Sequence, residues 1–468
     1  MTNDLNWLSA AKLSKLYKKG ELSPVEVAKA CMAQMRKHES QINAMSLIDE
    51  AATIAQAKAS EKRWLKGNPL GALDGVPTLI KDIVLVRGWP TMRGSKTTDP
   101  NQPWDTDAPC VARLREQGAV FMGVTTTPEF GWKGVTDSPL TGITRNPWDL
   151  TKTPGGSSGG SSAALAAGYA PIAIGTDGGG SIRIPAGFTS TFGLKPSYGR
   201  VPAWPLSAFG TVAHIGPMAR TVNDAALMLN AISLPDERDW QALPPSDSDY
   251  TEIIRQPIKG MKIAFSLTLG YVDVDPGIAQ LVKAAAHVLS DLGANVTEVD
   301  PGFEDPVKCF RDIWWGGARF ALGGLSPEKK ALLEPALADV VEQAASLTLE
   351  DVYEANRLRG LLGSHLRRFM RKYDALITPT LPLPPFDAGR LQPGSHDSKG
   401  KWVNWTPFTY PFNLTQQPAA SVPCGFTKAN LPAGLQIVGR MYDDATVMRI
   451  ARAYEKATGF GKLRAPGF

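Results

Sequence analysis

Two short segments rich in glycine and serine lie close together and limit the fold more than any other feature. Residues 155–161 read GGSSGGS and residues 178–181 read GGGS, and between them lie an alanine-rich stretch and a short apolar run. The stretch 163–167 predicts a helix that ends at Gly168, and 170–175 predicts a strand. Because glycine has no Cβ, consecutive glycines allow several backbone N–H groups to point at one anion or oxyanion. The serine that follows is a candidate nucleophile, and a flexible loop or a phosphate-binding turn is the structural alternative.

A lysine interrupts an apolar run in the segment 73–88. Residues 76–80 and 83–86 are apolar and predict a buried strand that contains the pair Lys81 and Asp82. A buried charge costs several kcal/mol unless it is paired or neutralised. Burial also lowers the pKa of a lysine, which makes Lys81 a candidate general base. An ion pair with Asp82 or another carboxylate is the alternative role.

Histidine offers less support for nucleophilic catalysis. Among the five histidines, His38 and His287 lie in helical stretches and His396 lies in a polar loop. Only His214 is near the glycine turns, and its apolar neighbours predict a packed, neutral side chain. The segment 155–159 also matches G-x-S-x-G, but no strand precedes it, as the nucleophile elbow requires.

Strand and helix patterns alternate along the chain and predict an α/β protein. Strands are expected at 119–124, 261–265 and 295–299, and helices at 111–118 and 278–292. The first 65 residues are expected to be helical, with a helix start at Ser23, Pro24 and Glu26. The 468 residues contain no internal repeat, so one large domain is expected.

Composition excludes several classes of function. The net charge is only +5 and no long basic run occurs, which argues against a nucleic-acid partner. The N-terminus lacks a signal-peptide core, and the longest apolar stretch, 163–175, is too short for a membrane helix. The four cysteines form no CxxC pair, so neither zinc nor a disulfide framework is indicated. We therefore expect buried free thiols in a cytoplasmic protein.

Taken together, these motifs closely resemble the amidase signature family. The resemblance rests on GVPTLIKD at 75–82, on the loop at 155–161 and on GTDGGGSIRIPA at 175–186. Four later segments, at 193–196, 216–222, 374–380 and 434–439, occur in the order that the family has. The match covers nearly the whole chain.

The resemblance implies a fold and a set of roles. The fold would be a single α/β/α domain with a central mixed, twisted sheet. It would have a helical N-terminal region at about 1–65, a signature core at about 70–220 and a helical cap-like portion at about 260–347. The family needs no metal and no organic cofactor. The implied roles are a nucleophile (Ser181), a bridging serine on a cis peptide bond (Ser157), a base (Lys81), oxyanion-hole N–H groups (Gly178, Gly179, Gly180, Ser181) and supporting residues (Ser158, Asp177, Arg183).

The family resemblance leaves the substrate open. Aromatic side chains suggest a pocket for an aryl or apolar amide, although most of these tryptophans could equally belong to the core. The candidates are Phe130, Trp132, Trp204, Trp314 and Trp315. The leading expectation is a hydrolase of a small amide, with no nucleic-acid or membrane partner and with a homodimer as the common oligomeric state. The alternatives are the glutaminase subunit of a tRNA-dependent amidotransferase, a carbamate or ester hydrolase with the same triad, and a non-catalytic binding protein.

Overall fold

The computed structural model describes residues 4–394 and 401–468. Helices and strands alternate through most of this part of the chain. The helices are α1 (Ala10–Lys18), α2 (Pro24–Ile42), α3 (Glu50–Leu65), α4 (Pro109–Glu116), α5 (Gly159–Ala166), α6 (Arg183–Thr189), α7 (Val222–Ile232), α8 (Tyr250–Ile253), α9 (Pro276–Asp291), α10 (Val307–Leu322), α11 (Pro327–Lys330), α12 (Pro335–Gln343), α13 (Leu349–Phe369), α14 (Pro411–Leu414) and α15 (Asp444–Thr458). The strands are β1 (Met45–Leu47), β2 (Pro77–Lys81), β3 (Val120–Thr125), β4 (Asp137–Ser138), β5 (Gly142–Ile143), β6 (Ile172–Asp177), β7 (Phe192–Lys195), β8 (His214–Ala219), β9 (Lys262–Phe265), β10 (Asn295–Glu298), β11 (Ala375–Pro379), β12 (Ala419–Phe426) and β13 (Pro432–Gly439).

Within residues 4–394 and 401–468, eleven strands form one mixed sheet in the order β1-β3-β2-β6-β8-β7-β12-β13-β11-β9-β10. Strands β3, β2 and β6 run parallel to one another, whereas β8, β7, β12 and β13 pair antiparallel. Because β2 and β6 are adjacent and parallel, their carboxyl ends meet at the same edge of the sheet. Lys81 and Asp177 are the last residues of these two strands.

Helices cover both faces of the sheet, as the alternation of strand side chains requires. Ile172 and Ile174 of β6 pack in one core with helices α4, α7, α9 and α15, whereas Ala173 packs in another core with α2 and α5. At the other end of the sheet, Ala264 of β9 faces a third core built by α10, α12 and α13. The predicted α/β/α architecture with a central mixed sheet is therefore confirmed.

Two predicted regions differ in detail from the structure. The N-terminal region is not wholly helical, because β1 pairs with β3 at one edge of the sheet. In the expected cap-like portion, 260–347, the residues up to 298 instead form two strands of the central sheet, β9 and β10, and the helix α9 between them. The helices that pack beside the site begin only at Val307 and continue through α13, to Phe369.

The predicted strand around Lys81 is shorter than the apolar pattern suggests. It ends at Lys81, where the carbonyl oxygen accepts hydrogen bonds from the N–H groups of Ile83 and Val84 and turns the chain. The Asp82 carboxylate then binds the backbone N–H groups of Met92 and Gly94. Apolar residues 83–86 thus pack as a loop, and the ion pair with Asp82, given above as an alternative role for Lys81, is not formed.

Other local predictions are confirmed. Helix α2 begins with the expected capping box, in which the Ser23 side chain caps the first turn and Glu26 binds the Ser23 N–H. All four cysteines are free thiols, three of them buried and Cys424 half-buried. In the described residues no helix has both the length and the apolar content to cross a membrane.

Candidate active site

Lys81 lies at the centre of a buried group of hydroxyls at the carboxyl end of β2. Its Nζ is 2.7 Å from Ser157 Oγ, 2.9 Å from Ser158 Oγ and 2.8 Å from Thr176 Oγ1. The side chain is fully buried and forms no ion pair among the described residues. Burial lowers the pKa of Lys81 well below its usual value, although the charge of Asp177 opposes this shift. A lowered pKa favours the neutral amine, which is the form in which a lysine can accept a proton.

The hydrogen-bond partners fix how a neutral Lys81 is oriented. The Ser158 hydroxyl donates its one proton to the carbonyl oxygen of Thr176, so it can only accept from Lys81. A neutral amine has two N–H donors and one lone pair. If the donors serve Ser158 and Thr176, the lone pair is left for the hydroxyl proton of Ser157. This arrangement is compatible with a base that acts on Ser157.

Ser157 and Ser181 face one cavity from the starts of two helices. Ser157 follows a cis peptide bond after Gly156 and stands two residues before α5, and Ser181 stands two residues before α6. The Ser158 N–H donates to the Ser181 carbonyl oxygen at 3.0 Å, which ties the two segments together. Among the described residues, the Ser157 and Ser181 hydroxyls form no hydrogen bond with each other, so the proton relay that the resemblance implies is only half assembled.

The glycine turn after β6 presents backbone donors to the cavity. The N–H groups of Gly178, Gly179 and Ser181 have no hydrogen-bond partner in the described part of the chain. The Gly180 N–H, by contrast, donates to Asp177 Oδ1 at 2.8 Å. The prediction that Gly180 donates to the oxyanion is therefore wrong, because its N–H already donates to the Asp177 carboxylate, which holds the turn together. Three candidate donors remain.

The turn needs glycine because its neighbours leave no room for side chains. A Cβ on Gly178 would lie 2.4 Å from a ring carbon of Trp314, and one on Gly179 would lie 2.5 Å from Phe310. Gly180 has a φ of +128°, and its Cβ would lie 2.4 Å from Thr409 Oγ1. The aromatic side chains of α10 thus pack directly on the backbone of the turn.

A fully buried ion pair anchors the same turn. Arg183 donates to both carboxylate oxygens of Asp177, at 2.9 Å each. Burial by itself would raise the pKa of Asp177, but the charge and hydrogen bonds of Arg183 hold this pKa well below its ordinary value. Arg183 also reaches Gln436 Oε1 at 2.7 Å and Asn413 Oδ1 at 2.5 Å. These contacts support the structural role expected for both residues, since neither is free to react.

A cavity of about 410 Å³ opens beside Ser157 and Ser181. Its walls are mainly apolar, and loop residues 203–211 form one side. Of the aromatic candidates, Phe130, Trp132, Trp204 and Trp314 line it, and Phe209 stacks on Trp314 with ring centroids 3.8 Å apart. Trp315 does not line the cavity. It is half-buried at the edge of the core that contains Trp314, and Arg311 lies over its ring.

Known proteins are similar in sequence to this chain over nearly its full length. The family model described as Amidase matches residues 26–448. An acylamidase from Rhodococcus erythropolis is 37% identical over 97% of this chain and 96% of its own length. A glutamyl-tRNA(Gln) amidotransferase subunit from Myxococcus xanthus is 36% identical over 99% of both chains. The chain belongs to the amidase signature family.

Solved structures of family members agree with this assignment. A bacterial aryl acylamidase of the amidase signature family has a TM-score of 0.90 at 31% identity, covering 97% of this chain and 98% of its own. A 6-aminohexanoate cyclic dimer hydrolase in complex with substrate has a TM-score of 0.88 at 28% identity, covering 98% and 99%. As an amidase-family enzyme, this protein is a hydrolase of amide C–N bonds.

The remaining predicted residues have structural surroundings. His214 is buried, its Nδ1 lies 2.8 Å from the Val212 carbonyl oxygen, and burial together with the charge of Lys195 lowers its pKa well below the usual value. It is a neutral histidine, as the sequence indicated. His396 lies outside the described residues. Within those residues, no group of three or more His, Cys, Asp or Glu side chains is arranged to hold a metal ion.

Sequence reasoning missed three polar residues that complete this amidase site. Thr176 binds Lys81, and Asn413 and Gln436 bind the Asp177–Arg183 pair from segments more than 200 residues away. A threonine two residues before a glycine turn carries no strong local signal. The pattern that could have identified Gln436 is a lone amide within the apolar run 432–439, because a buried amide needs polar partners.

Proposed function

We propose that this enzyme cleaves small carboxylic amides with Ser181 as nucleophile and with Lys81, acting through Ser157, as base. The observation that carries the proposal is the 2.7 Å contact between Lys81 Nζ and Ser157 Oγ at a buried site where no described carboxylate pairs with the lysine. A neutral lysine that faces a hydroxyl is a base, whereas a charged one would need a counter-ion here.

In the proposed cycle, Ser181 Oγ attacks the amide carbonyl carbon and its proton passes through Ser157 to Lys81. The N–H groups of Gly178, Gly179 and Ser181 stabilise the developing oxyanion, and each such donor is worth about 10²–10³ in rate. Lys81 returns the proton through Ser157 to the leaving nitrogen, which breaks the C–N bond and leaves an acyl-enzyme. Water activated by the same relay then releases the carboxylic acid.

The cavity supports an apolar or aryl amide as substrate. Its walls present Phe130, Trp132, Trp204 and Trp314, and an aromatic ring or alkyl chain would gain from burial there. The similar proteins named as an acylamidase and an aryl acylamidase support the same substrate class. Carbamates and esters have the same acyl chemistry and belong in the same assay.

The glutaminase subunit of an amidotransferase is the second candidate, because several similar proteins are named as amidotransferase subunits. Free glutamine brings both a carboxylate and an ammonium group. Among the described residues that line the cavity, the charged ones are Arg93 and Asp177, and Asp177 is committed to Arg183. No carboxylate is left to receive the ammonium group, which favours the stand-alone amidase.

The test is release of amine or ammonia by the purified single chain. The panel holds small primary amides, aryl anilides, an aryl carbamate, an aryl ester and glutamine. We expect turnover of anilides or amides, and a loss of at least about 10³-fold in kcat for Ser181→Ala, Ser157→Ala and Lys81→Ala.

Circular dichroism and urea unfolding check that these variants remain folded. Ser46→Ala, at a half-buried serine on β1 away from the cavity, is the matched control and should retain activity. Full turnover by Ser181→Ala would overturn the assignment of the nucleophile. Hydrolysis of glutamine alone would favour the amidotransferase function.

A further inference from the structure

Arg93 places an unpartnered positive charge in the wall of the catalytic cavity. The half-buried side chain lines the cavity, yet it forms no ion pair and no side-chain hydrogen bond with any described residue. The other arginine close to the catalytic turn, Arg183, has a complete set of acceptors. A half-buried guanidinium that faces the cavity and has no acceptor among the described residues is free to bind an anionic group of the substrate, and closing the site over it without an acceptor would be unfavourable.

The backbone around Arg93 is held on both sides. The Asp82 carboxylate binds the N–H of Met92 at 2.8 Å and that of Gly94 at 2.9 Å. The Arg93 carbonyl oxygen accepts from the Phe130 N–H at 2.7 Å. Arg93 itself has a φ of +56°, in the left-handed region that side-chain-bearing residues rarely adopt. The loop therefore fixes the direction in which this side chain leaves the backbone.

Asp82 does not neutralise Arg93. Its charge acts on the guanidinium, but both of its oxygens are committed to the backbone N–H groups. Burial also raises the pKa of Asp82 to about 7, so that near neutral pH this carboxyl carries only part of a negative charge. The positive charge of Arg93 is consequently available to the cavity.

Arg93 lines the same cavity as Ser157 and Ser181. Its carbonyl oxygen accepts a hydrogen bond from the Phe130 N–H, and the residue after Phe130, Gly131, approaches Ser157 so closely that a Cβ there would lie 3.2 Å from Ser157 Oγ. All of these residues line the same cavity of about 410 Å³, which suits a molecule of modest size.

Resting on the proposed function, we propose that Arg93 binds a carboxylate of the substrate and makes the enzyme selective for amides that carry one negative charge. The planar guanidinium matches a carboxylate through two parallel N–H···O bonds. The apolar walls receive the rest of the molecule. The cavity offers no free carboxylate for a cation among its described residues, which excludes zwitterions and favours monoanions.

The experiment compares each anionic amide with a neutral compound of the same shape. On the acyl side, the pair is succinic mono-4-nitroanilide and 4-methylpentanoic 4-nitroanilide. On the amine side, the pair is 4-acetamidobenzoate and 4-isopropylacetanilide. We expect wild-type enzyme to prefer the anion of at least one pair by about 10-fold or more in kcat/KM.

Variants at Arg93 test whether this residue causes the preference for the anionic amide. Arg93→Met should lower kcat/KM for the preferred anion by about 10- to 100-fold, mainly through KM, and change the neutral partner by less than about threefold. Arg93→Lys should restore part of the preference. Arg87→Met, at an exposed arginine in the same loop, is the matched control and should behave as wild type.

Calorimetric binding to the Ser181→Ala variant separates this proposal from the proposed function. Tighter binding of an anion than of its neutral partner, lost on adding Arg93→Met, supports Arg93 even if wild-type enzyme hydrolyses neither compound. Equal binding of both members of both pairs, or an equal effect of Arg93→Met on anion and neutral partner, overturns it.

Discussion

At the scale of single residues, the site depends on how a buried lysine is surrounded. Lys81 has three hydroxyl neighbours and no ion-pair partner in the described part of the chain. In the proposed mechanism, Ser158 and Thr176 accept from the two N–H groups of a neutral amine and so direct its lone pair at Ser157. Their proposed role is to position the amine, because neither takes part in bond making.

Replacing Thr176 tests this positioning. Thr176→Val keeps the shape of the side chain but removes the Oγ1 acceptor 2.8 Å from Lys81 Nζ. We expect kcat to fall by about 10-fold, corresponding to one lost hydrogen bond of about 1.4 kcal/mol, while KM changes by less than about twofold. Thr176→Ser should restore kcat, and steady-state kinetics on one anilide measures both constants.

Two outcomes would contradict this role of Thr176. A Thr176→Val enzyme with unchanged kcat would mean that Ser158 alone orients the amine. A rise in KM without a change in kcat would instead place Thr176 in substrate binding.

At the scale of elements, a helix outside the sheet is tied to the loop that borders the catalytic cavity. Glu334, just before α12, accepts from the Trp132 indole N–H at 2.8 Å and from Lys133 Nζ at 2.5 Å. Its own backbone N–H donates to Glu129 Oε2 at 2.7 Å. Trp132 lines the cavity, so this contact couples the position of α12 to the substrate pocket.

Glu334→Ala should therefore lower the stability of the enzyme and also weaken substrate binding in the pocket. The Lys133 side chain is only 2% exposed and would keep Asp137 as its one partner among the described residues. We expect a loss of about 2 kcal/mol in the free energy of unfolding, measured in urea, and an increase in KM for anilides. Glu342→Ala, at an exposed glutamate on the same helix, should change neither.

At the scale of the whole molecule, the fold brings distant segments to one edge of the sheet. Lys81, the serines of the two glycine-rich segments, Asn413 and Gln436 come from five parts of the chain. The burial that results keeps two lysines, Lys81 and Lys195, away from water. Burial lowers the pKa of each well below the usual value.

If Lys81 is neutral in the folded enzyme, the free energy of unfolding should depend on pH. Between its lowered pKa in the folded state and about 10.4 in the unfolded chain, the unfolded state binds one more proton. The free energy of unfolding therefore rises with pH in this window, by about 1.4 kcal/mol per pH unit for one lysine. This gain in the free energy of unfolding is complete above the pKa of Lys81 in the unfolded chain, and it is lost as the pH falls toward the lowered pKa of Lys81 in the folded state.

Urea unfolding of wild type and Lys81→Met measures this slope between about pH 7.5 and about pH 9, a range that lies below the pKa of an unfolded lysine. The variant should show a slope smaller by about 1.4 kcal/mol per unit, since other groups cancel in the difference. Lys62→Met, at an exposed lysine of α3, should leave the slope unchanged. Equal slopes for wild type and Lys81→Met would show that Lys81 is charged in the folded enzyme.

Much of this protein follows from the sequence alone. Alternating strand and helix patterns, the capping box at Ser23 and the glycine turns predict the α/β architecture, because they depend on local geometry and apolar periodicity. The same holds for Lys81, since a charge inside an apolar run is visible without a fold. The order of the family's motifs predicted the membership that the comparisons establish.

Only the tertiary structure decided which of these residues contact one another. Only the parallel pairing of β2 and β6 places Thr176 beside Lys81, and only packing of the 409–413 segment and β13 on the turn gives Arg183 its partners. The use of the Gly180 N–H by Asp177, and the lack of a partner for Arg93 among residues 4–394 and 401–468, were likewise invisible in the sequence. Hydrogen bonding and burial depend on contacts between distant segments, and local patterns do not encode which distant groups meet.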